Sequence, residues 1–310
     1  MKAVRIHEYG DSEVLRVEDA PMPEIGADDV LVKVHAAGIN PADCQYRRGD
    51  FKAFAPLALP AILGWDVSGI VERIGRSVQR FKVGERVFAM TRMNRDGAYA
   101  EFVAANCADV APMPGSMSFE QAAAVPLAAL TAWKALFDVA QLAAKQHVLI
   151  HAGAGGVGSF AVQLAHRAGV RVTATASAEN APLVHSLGAD QVIDYRTQNV
   201  AESVRDVDAV LDTAGGETRA QSWRSLRAGG ILAAIAMPPP DESAARLHGV
   251  RAAMVQVIPD GGRLREIGAL IDAGELRVLI DSVFPLDQAA AAHRRSETRH
   301  ARGKIVLKVV

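Results

Sequence analysis

The amino-acid sequence predicts an α/β protein in which a β-rich, barrel-like domain is interrupted by a domain built on a doubly wound parallel sheet. Short β-branched runs separated by glycine and proline fill the first third of the chain, as is typical of antiparallel sheets and barrels. Between residues 146 and 235, strand-like and helix-like runs alternate, which is typical of a parallel sheet. We therefore expect the β-rich domain over residues 1–122 and 276–310 and the inserted domain over residues 123–275.

The elements of the β-rich domain are predicted from β-branched runs and one capping pattern. Ser118 with Gln121 three residues later forms a capping box, which predicts a helix start, and a second helical run follows Pro126. The remaining expected elements are strands at Val30–Val34, Val67–Ile74, Ala98–Ala104 and Ile305–Val310, a turn leading into a strand at Val83–Phe88, and a helix at Leu286–Arg295.

The inserted domain is predicted from the alternation of its runs. Its expected helices are Val157–Ala168, Pro182–Leu187 and Ala220–Leu226, and the first two end at glycine. Its expected strands are His147–His151, Arg171–Ala176, Val192–Ile193, Ala209–Leu211 and Ile231–Ile235.

Composition and charge narrow the classes of function. The 310 residues carry a formal net charge of −1, which gives no reason to expect a nucleic acid or an anionic membrane as partner. No window approaches the ~18 consecutive apolar residues that predict a membrane-spanning helix. The segment MKAVRIHEYG reads as a strand and a turn rather than a signal peptide. Cysteine is limited to Cys44 and Cys107, so we expect reduced thiols and a cytoplasmic location.

The stretch HAGAGGVGSF carries the pattern Gly153-x-Gly155-x-x-Gly158 between a predicted strand and a predicted helix. In a dinucleotide-binding loop the first glycine permits a tight turn, the second lets backbone approach a pyrophosphate, and the third lets the helix pack closely on the strand. Gly156 and Val157 open the helix, whose free N–H groups and positive dipole end attract phosphates. A bare packing turn is the competing interpretation, and the flanking strand and helix favour the dinucleotide site.

The end of the next predicted strand indicates which dinucleotide binds. An NAD site usually places Asp or Glu there, about 20 residues beyond the loop, to hold the ribose 2′-hydroxyl. This chain has Ser177, whose small hydroxyl leaves room for a 2′-phosphate, so we expect NADPH. In the alternative, Glu179 reaches back to the ribose. Arg196 is a candidate positive partner of the phosphate, and Tyr195 either lies along the adenosine or is a surface tyrosine at a strand end.

Several spaced motifs resemble the medium-chain dehydrogenases/reductases. GWDVSGIVERIG and HAGAGGVGSFAVQLA carry the resemblance to this superfamily. AGINPADCQYRRG, VPLAALTAW, SLGADQVIDYR and ARGKIVLKV resemble its zinc-independent quinone oxidoreductase group. The resemblance spans essentially the whole chain. It implies a GroES-like catalytic domain with an inserted Rossmann domain, and a homodimer formed by edge pairing of sheets.

The resemblance also implies an active site without metal. Zinc-dependent members of the superfamily place a cysteine ligand where this chain has Asn40, His-Glu where it has Trp65–Asp66, and a further cysteine near Ala128. Zinc favours cysteine and histidine ligands in a tetrahedral array, which two isolated cysteines do not provide. His293 flanks arginines and reads as a solvated helix residue. We therefore expect no metal.

The segment NPADCQY contains three candidate catalytic residues. Asn40 is expected to cap a helix that starts at Pro41, and the resemblance also places it beside the nicotinamide. Asp43 is expected to brace the helix start rather than to transfer a proton. Some relatives carry a tyrosine where this chain has Gln45, and Tyr46 is one helical step of about 100° away. A proton donor, where one is needed, is expected to be Tyr46 or water.

The resemblance implies three further contacts. Thr131 is expected on the nicotinamide side, unless its hydroxyl only bonds to the preceding helical turn. Trp65 is a candidate wall of the substrate site, although a tryptophan in an apolar run is more often core. Arg302 or Lys304 is a candidate phosphate contact.

Together these residues predict hydride transfer from NADPH. Quinones and enones accept hydride without a strong Lewis acid, because the added charge spreads over a conjugated system. We therefore expect zinc-independent reduction of a quinone. The alternatives are an NADPH-dependent enone or 2-alkenal reductase and, from a different class, a non-catalytic NADPH-binding structural or regulatory protein. The expected partner is a small quinone or conjugated carbonyl, with neither nucleic acid nor membrane.

Overall fold

The computed structural model describes all 310 residues and separates them into two compact units. The first unit comprises Met1–Leu130 and Ile258–Val310, and the second comprises Thr131–Val257. The first is β-rich and the second contains a parallel sheet with helices, so the predicted α/β fold class with an inserted doubly wound domain is confirmed. None of the helices has the length and apolar character that crossing a lipid bilayer requires.

The strands and helices are numbered in chain order. The strands are β1 (Lys2–Ile6), β2 (Arg16–Asp19), β3 (Asp29–Ile39), β4 (Ala61–Ile62), β5 (Asp66–Ile74), β6 (Arg86–Met90), β7 (Phe102–Asn106), β8 (Val110–Pro112), β9 (His147–Ile150), β10 (Arg171–Ala176), β11 (Gln191–Asp194), β12 (Val207–Asp212), β13 (Leu226–Ala234), β14 (Arg251–Met254), β15 (Ile280–Pro285) and β16 (Lys304–Lys308). The α-helices are α1 (Pro41–Arg48), α2 (Phe119–Ala123), α3 (Pro126–Trp133), α4 (Gly156–Arg167), α5 (Ala181–Ser186), α6 (Val200–Ser203), α7 (Gly216–Ser222), α8 (Glu242–Leu247), α9 (Gly261–Asp272) and α10 (Ala289–Glu297).

The first unit is built on a seven-stranded sheet and a small three-stranded sheet. The larger sheet has the order β15-β16-β3-β5-β6-β8, with β7 also paired to β3, and the smaller sheet has the order β2-β1-β4. β3 is buried along nearly its whole length, which makes it the central strand of the unit. The core around it is apolar and includes Val32, Val67, Trp65 and Leu307.

Three strand ends meet at one corner of the larger sheet. β3 runs antiparallel to both β5 and β16, and Gly38 near its end lies opposite Asp66. The carboxyl end of β3 therefore lies beside the first residues of β5 and β16. Asn40 follows β3, Asp66 opens β5 and Lys304 opens β16. Antiparallel pairing thus gathers three polar residues that are far apart in the sequence.

The second unit holds a sheet of six parallel strands in the order β11-β10-β9-β12-β13-β14. Numbered within the unit, this order is 3-2-1-4-5-6, the order of dinucleotide-binding folds. The strand order reverses between β9 and β12, and ligands of such sheets bind at the carboxyl ends of the strands near this point. β9 leads directly into the glycine-rich turn and α4, so the predicted loop stands at this end of the sheet.

The boundaries of the two units differ from the expected ones. The breaks fall at 130/131 and 257/258 rather than at 122/123 and 275/276. α9 accounts for most of the difference because it packs on strands of the first unit: a Cβ added at Gly268 would lie 3.6 Å from the Phe88 ring. In addition, the Ser116 N–H donates to the Asp272 carboxylate at 3.0 Å. The sequence analysis did not predict α9, and only its contacts show which sheet it covers.

One predicted strand is displaced. The strand expected at Ala98–Ala104 begins only at Phe102. The preceding Tyr99 bonds instead to a neighbouring loop, with its N–H donating to the Leu63 carbonyl at 3.0 Å. This loop contact places the Tyr99 side chain in the interior of the first unit, where it is fully buried.

Candidate functional site

The glycine-rich turn of the second unit forms a tight corner between β9 and α4. The Gly153 N–H donates to the Thr175 carbonyl at 2.8 Å, which ties the turn to β10. A Cβ added at Gly158 would lie 2.1 Å from the Ala152 carbonyl oxygen, so glycine is required where the helix meets the turn. The left-handed position is Ala152, with φ of 50°, rather than a glycine. The turn therefore depends on its glycines for close packing and not for a positive φ.

The corner presents unpaired backbone amides. The Ser159 N–H donates to the Gly155 carbonyl at 3.0 Å and is the first amide of α4 with an acceptor inside the helix. The amides of Gly156, Val157 and Gly158 precede it and have no intrahelical acceptor. A Cβ added at Gly155 would meet only Ala152, with the carbonyl oxygen at 3.2 Å and the Cβ at 3.8 Å. This geometry fits a pyrophosphate, because backbone donors and the positive end of a helix face a surface that carries no bulky side chain.

His151 lies beneath the corner and was not singled out from the sequence. It is fully buried at the end of β9, with Nε2 2.7 Å from Ser222 Oγ and Nδ1 3.3 Å from Thr175 Oγ1. Thr175 Oγ1 also accepts the Ala152 N–H at 3.1 Å. Burial lowers the pKa of His151 to about 4, so the imidazole is neutral at pH 7. We interpret His151 as a residue that stabilises the turn through these hydrogen bonds. The sequence gives no sign of this role, because an apolar strand that ends in histidine has no special pattern.

The residues named for the adenosine end of the dinucleotide lie together after β10 and β11. Ser177 is buried, and its Oγ donates to Glu179 Oε1 at 3.1 Å and accepts from Asn180 Nδ2 at 3.1 Å. Arg196 Nη1 lies 3.5 Å from Glu179 Oε1, and its guanidinium lies 5.8 Å from the Tyr195 ring centroid. The structure thus brings Ser177, Glu179, Tyr195 and Arg196 into one cluster, in which Ser177 is buried and the other three residues are exposed. The carboxylate of Glu179 already faces the arginine.

The first unit contains a buried cluster at the corner where β3, β5 and β16 meet. Asn40 Nδ2 donates to Asp66 Oδ2 at 3.0 Å, and Lys304 Nζ donates to Asn40 Oδ1 and lies 3.3 Å from Asp66 Oδ2. Asp66 Oδ1 accepts the Leu127 N–H at 2.7 Å. The side chain of Asn40 is therefore engaged with Asp66 and Lys304. Asn40 is also the N-cap of α1, as expected, and its N–H donates to Asp43 in the capping box that opens this helix. The expectation that Lys304 contacts a phosphate is wrong, because its amine is buried in this cluster.

Asp43 occupies the first turn of α1 and is fully buried. Its Oδ2 accepts the Asn40 N–H at 2.8 Å and the Tyr99 hydroxyl at 2.8 Å, whereas its Oδ1 has no partner. Burial raises its pKa to about 7, and the two hydrogen bonds only partly oppose that shift. Asp43 braces the helix start, as its position in the sequence suggested.

His293 is not solvated, contrary to the expectation from its flanking arginines. It is fully buried in α10, with Nδ1 3.3 Å from Arg47 Nη1 and Nε2 3.2 Å from the Tyr99 hydroxyl. Burial, with help from the Arg47 charge, lowers its pKa to about 3. Because Arg47 can only donate, the neutral ring accepts at Nδ1 and donates from Nε2. A directed chain of hydrogen bonds therefore runs from Arg47 through His293 and Tyr99 to Asp43.

Tyr46 and Trp65 belong to an aromatic cluster of the first unit. The Tyr46 ring meets Trp65 edge-on at 4.9 Å and Phe51 at 4.7 Å between centroids, and Phe51 lies 5.6 Å from Phe54. Trp65 is fully buried, Tyr46 is half-buried and Phe54 is 68% exposed. Trp65 therefore lies beneath Tyr46, and a ligand at this surface would meet the rings of Tyr46, Phe51 and Phe54.

Comparison with known proteins decides the family. The sequence model of the alcohol dehydrogenase GroES-like domain matches residues 26–116, and that of the zinc-binding dehydrogenases matches residues 187–307. A quinone oxidoreductase of Mus musculus is 32% identical over 98% of this chain and 96% of its own length. The chain belongs to the quinone oxidoreductase group of the medium-chain dehydrogenases/reductases. The predicted family is thereby confirmed.

Other members of the group are similarly close. The NADPH-dependent alkenal/one oxidoreductase of Arabidopsis thaliana chloroplasts is 36% identical over 99% of this chain and 79% of that protein. The structure of the quinone oxidoreductase from Coxiella burnetii has a TM-score of 0.92 at 35% identity, covering 100% of this chain and 99% of that one. The Escherichia coli quinone oxidoreductase complexed with NADPH has a TM-score of 0.90 at 28% identity, covering 100% of both chains.

One of the matching family models describes zinc-binding dehydrogenases. In this member of the quinone oxidoreductase group, however, the residues at the positions of the zinc ligands do not fit that metal. Trp65 and Ala128 are buried apolar side chains, and Lys304 donates to the one ligand atom of Asn40. A divalent ion about 4 Å from the Lys304 ammonium would be repelled by roughly 8 kcal/mol at an effective dielectric constant near 20. Moreover, no three His, Cys, Asp or Glu side chains lie close enough together to ligate a metal ion.

Thr131 and Arg302 are the other two residues for which the sequence predicts a contact with the cofactor. Thr131 is buried in α3. Arg302 is exposed, and its backbone N–H donates to Asp281 Oδ1 at 2.8 Å. Their proposed contacts with the cofactor stay predictions.

Proposed function

We propose that this chain is an NADPH-dependent oxidoreductase that reduces quinones by hydride transfer and does so without zinc. The observation that carries the proposal is the corner between β9 and α4, where three helix amides without an intrahelical acceptor surround a surface that Gly155 leaves free of side chains. Similarity over essentially the whole chain to the mouse and Coxiella burnetii quinone oxidoreductases supports it.

When bound, NADPH supplies the hydride, and the protein has to bind and orient it. The amides of Gly156, Val157 and Gly158 are the proposed donors to the pyrophosphate. His151 and Thr175 hold the turn in the shape that presents those amides. Thr131 is the proposed contact on the nicotinamide side.

The preference for NADPH over NADH is proposed from the cluster after β10. Ser177 replaces the acidic residue that would repel a 2′-phosphate, and Glu179 is drawn to Arg196 at 3.5 Å. The guanidinium of Arg196 is half exposed and supplies the positive charge, while Tyr195 offers a ring beside it. The NADPH complex of the Escherichia coli relative supports NADPH as the cofactor.

The acceptor is proposed to be a flat conjugated ring. Tyr46, Phe51 and Phe54 form an aromatic surface that suits such a ring, and Trp65 supports it from below. A quinone takes up hydride without a Lewis acid, because the charge spreads over its conjugated carbonyls. This agrees with a polar cluster in which Lys304 stands where a metal would have to bind. Asn40 and Tyr46 are the proposed contacts of the acceptor.

The experiment that tests this function is NADPH oxidation at 340 nm with a series of simple quinones, with and without EDTA. We expect turnover that depends on the quinone, is slower with NADH, and is indifferent to the chelator. The matched control is the Gly155→Val variant, which is expected to lose turnover while it stays folded. Activity that disappears with EDTA and returns only with zinc would refute the metal-free proposal.

A second candidate function is favoured by one observation, the 36% identity to the Arabidopsis thaliana alkenal/one oxidoreductase. The same cofactor site serves reduction of an activated C=C bond, since hydride is then delivered to the β-carbon of an enone or 2-alkenal. Steady-state kcat/KM values for a quinone series and an α,β-unsaturated carbonyl series on one preparation separate the two. A higher kcat/KM for the carbonyl series would assign the second function.

Two further properties belong to the proposal. We propose a homodimer, since β14 is an unpaired edge strand of the six-stranded sheet and edge pairing would extend that sheet. We also propose a cytoplasmic location, in keeping with two free cysteines, Cys44 and Cys107. Light scattering of the purified protein and fractionation of the source cells test these points.

A further inference from the structure

Lys304 is a buried lysine whose position is enforced by the fold. Only 4% of the residue is exposed, and lysine is almost never buried without a partner. Its backbone N–H donates to the Leu279 carbonyl at 2.8 Å as the chain enters β16. The preceding Gly303 has φ of 93°, and a Cβ there would lie 2.3 Å from that same carbonyl oxygen. The chain therefore passes close to Leu279, and the side-chain amine of Lys304 lies in the interior of the first unit.

The partners of Lys304 leave only one orientation for the Asn40 carboxamide. An ammonium group can only donate hydrogen bonds, and an ionised carboxylate can only accept them. Oδ1 of Asn40 therefore faces Lys304, and Nδ2 faces Asp66 at 3.0 Å. An amide held by one partner alone could turn, whereas an amide held at both ends by groups of opposite charge cannot exchange its ends.

This arrangement leaves Asn40 with one unused donor. Nδ2 carries two hydrogens, and Asp66 Oδ2 accepts one of them. Asn40 Nδ2 makes no second hydrogen bond in the structure. The ammonium group on Oδ1 draws electron density through the amide and makes the remaining N–H a stronger donor. The fold thus places one polarised N–H group, the second N–H of the Asn40 carboxamide, beside the start of α1.

We propose that Lys304 is a positioning residue for the reduction: it fixes and polarises the Asn40 carboxamide, whose free N–H donates to the carbonyl oxygen of the quinone. This inference rests on the proposed function. As the hydride adds with its electron pair, the quinone is reduced and NADPH is oxidised to NADP⁺. Negative charge develops on the carbonyl oxygen, where a preorganised donor is most effective. One proton from solvent then completes the hydroquinone, since hydride and proton together supply its two added hydrogens.

The test is a double-mutant cycle on kcat with one simple quinone at saturating NADPH. We expect Lys304→Met to lower kcat by about tenfold or more, with little change in the dissociation constant of NADPH. In an Asn40→Ala background, the same substitution is expected to change kcat by less than about twofold, because Lys304 acts through Asn40. The matched control is Lys308→Met, an exposed lysine of the same strand, which is expected to leave kcat and stability unchanged.

Removing the lysine leaves the buried Asp66 carboxylate without its cation, so Lys304→Met alone can fail to fold. The double variant Lys304→Met/Asp66→Asn keeps the cluster neutral and is expected to fold with the same low kcat. A kcat within about twofold of wild type in either folded variant would overturn the role of Lys304. So would an equal loss in the Asn40→Ala background, since that loss would be structural. Absence of quinone turnover in the wild type would instead refute the proposed function, and the inference with it.

Discussion

The Tyr99 hydroxyl donates a hydrogen bond of 2.8 Å to Oδ2 of Asp43, although the two residues are 56 positions apart in the chain. Both side chains are fully buried, and the other carboxylate oxygen of Asp43 has no partner. A buried carboxyl group with one unpaired oxygen is easier to accommodate as the neutral acid than as the anion. The burial of Asp43 is therefore expected to make the stability of the first unit depend on pH, and the hydrogen bond from Tyr99 only partly opposes this effect.

We predict that Asp43→Asn removes part of that pH dependence. Burial raises the folded-state pKa of Asp43 to about 7 from 3.8, so folding favours the protonated acid. The resulting stabilisation is complete below the unfolded-state pKa and is lost as pH rises through the folded-state value. Relative to the variant, the wild type is expected to lose up to about 4 kcal/mol of unfolding free energy between pH 4 and 8.

Urea unfolding of wild type and Asp43→Asn at several pH values measures this difference. Asp287→Asn is the matched control, because Asp287 is an exposed residue of the same unit. Parallel pH profiles for wild type and Asp43→Asn would show that the carboxyl group does not titrate in this range.

The second prediction concerns the glycine corner. Gly155→Val is expected to weaken NADPH binding by at least about tenfold, because the new side chain occupies the surface proposed for the pyrophosphate. The fold should persist, since the nearest atom to an added Cβ is the Ala152 carbonyl oxygen at 3.2 Å. Titration of NADPH fluorescence measures the affinity.

Gly262→Val is the control for this substitution. Gly262 lies in the first turn of α9, much as Gly155 lies at the start of α4, and the nearest atom to an added Cβ is again an oxygen at 3.2 Å, from Asp260. NADPH affinity should be unchanged in that variant. Normal binding by Gly155→Val would show that the dinucleotide does not approach this corner.

The third prediction concerns the choice between NADPH and NADH. Ser177→Asp is expected to weaken NADPH by about tenfold or more relative to NADH, because a carboxylate would face the 2′-phosphate. Measuring both dissociation constants on one preparation gives the ratio. An unchanged ratio would mean that Ser177 does not lie against the 2′-phosphate.

Glu179→Gln should act in the opposite direction. Arg196 lies 3.5 Å from the Glu179 carboxylate, so removing that charge frees the guanidinium for a phosphate. Both side chains are largely exposed, and the expected gain in NADPH affinity is therefore only about two- to fivefold at low salt. Loss of NADPH affinity in this variant, with NADH affinity falling in parallel, would assign Glu179 to the ribose instead.

The fourth prediction separates two roles of Tyr46. Burial raises the pKa of its hydroxyl, which makes it a weaker acid and a poor proton donor. We therefore expect Tyr46→Phe to keep kcat within about threefold, whereas Tyr46→Ala raises the KM for the quinone by about tenfold through loss of the aromatic surface. A large fall in kcat for Tyr46→Phe alone, with KM unchanged, would make the hydroxyl the proton donor.

Much of the second unit was predictable because its signals are local. The glycine corner, α4 and the end of β10 lie within about 25 consecutive residues, and a Cβ added at Gly155 or Gly158 would meet only atoms of the same turn. The parallel order of strands follows from the alternation of strands and helices. Ser177 could be named because its position relative to the loop fixes where its side chain lies.

The polar cluster of the first unit was predictable only in part. Asn40 and Asp66 were named through a family resemblance, but nothing in the sequence places Lys304 beside them. His293 was misread as solvated because flanking arginines are typical of an exposed helix face. Its partner Arg47 lies 246 positions away in the chain.

The sequence alone therefore determined that strands and helices alternate in the second unit and that a glycine-rich turn joins β9 to α4, and it placed Ser177, not an acidic residue, after β10. The tertiary structure decided which polar groups are buried together, namely Lys304 with Asn40 and Asp66, and His293 with Tyr99 and Arg47. The physical reason is that periodicity reports the preferences of one segment at a time. Partners across a sheet depend on how β3 pairs with β5 and β16, and that register is fixed only when the whole unit folds.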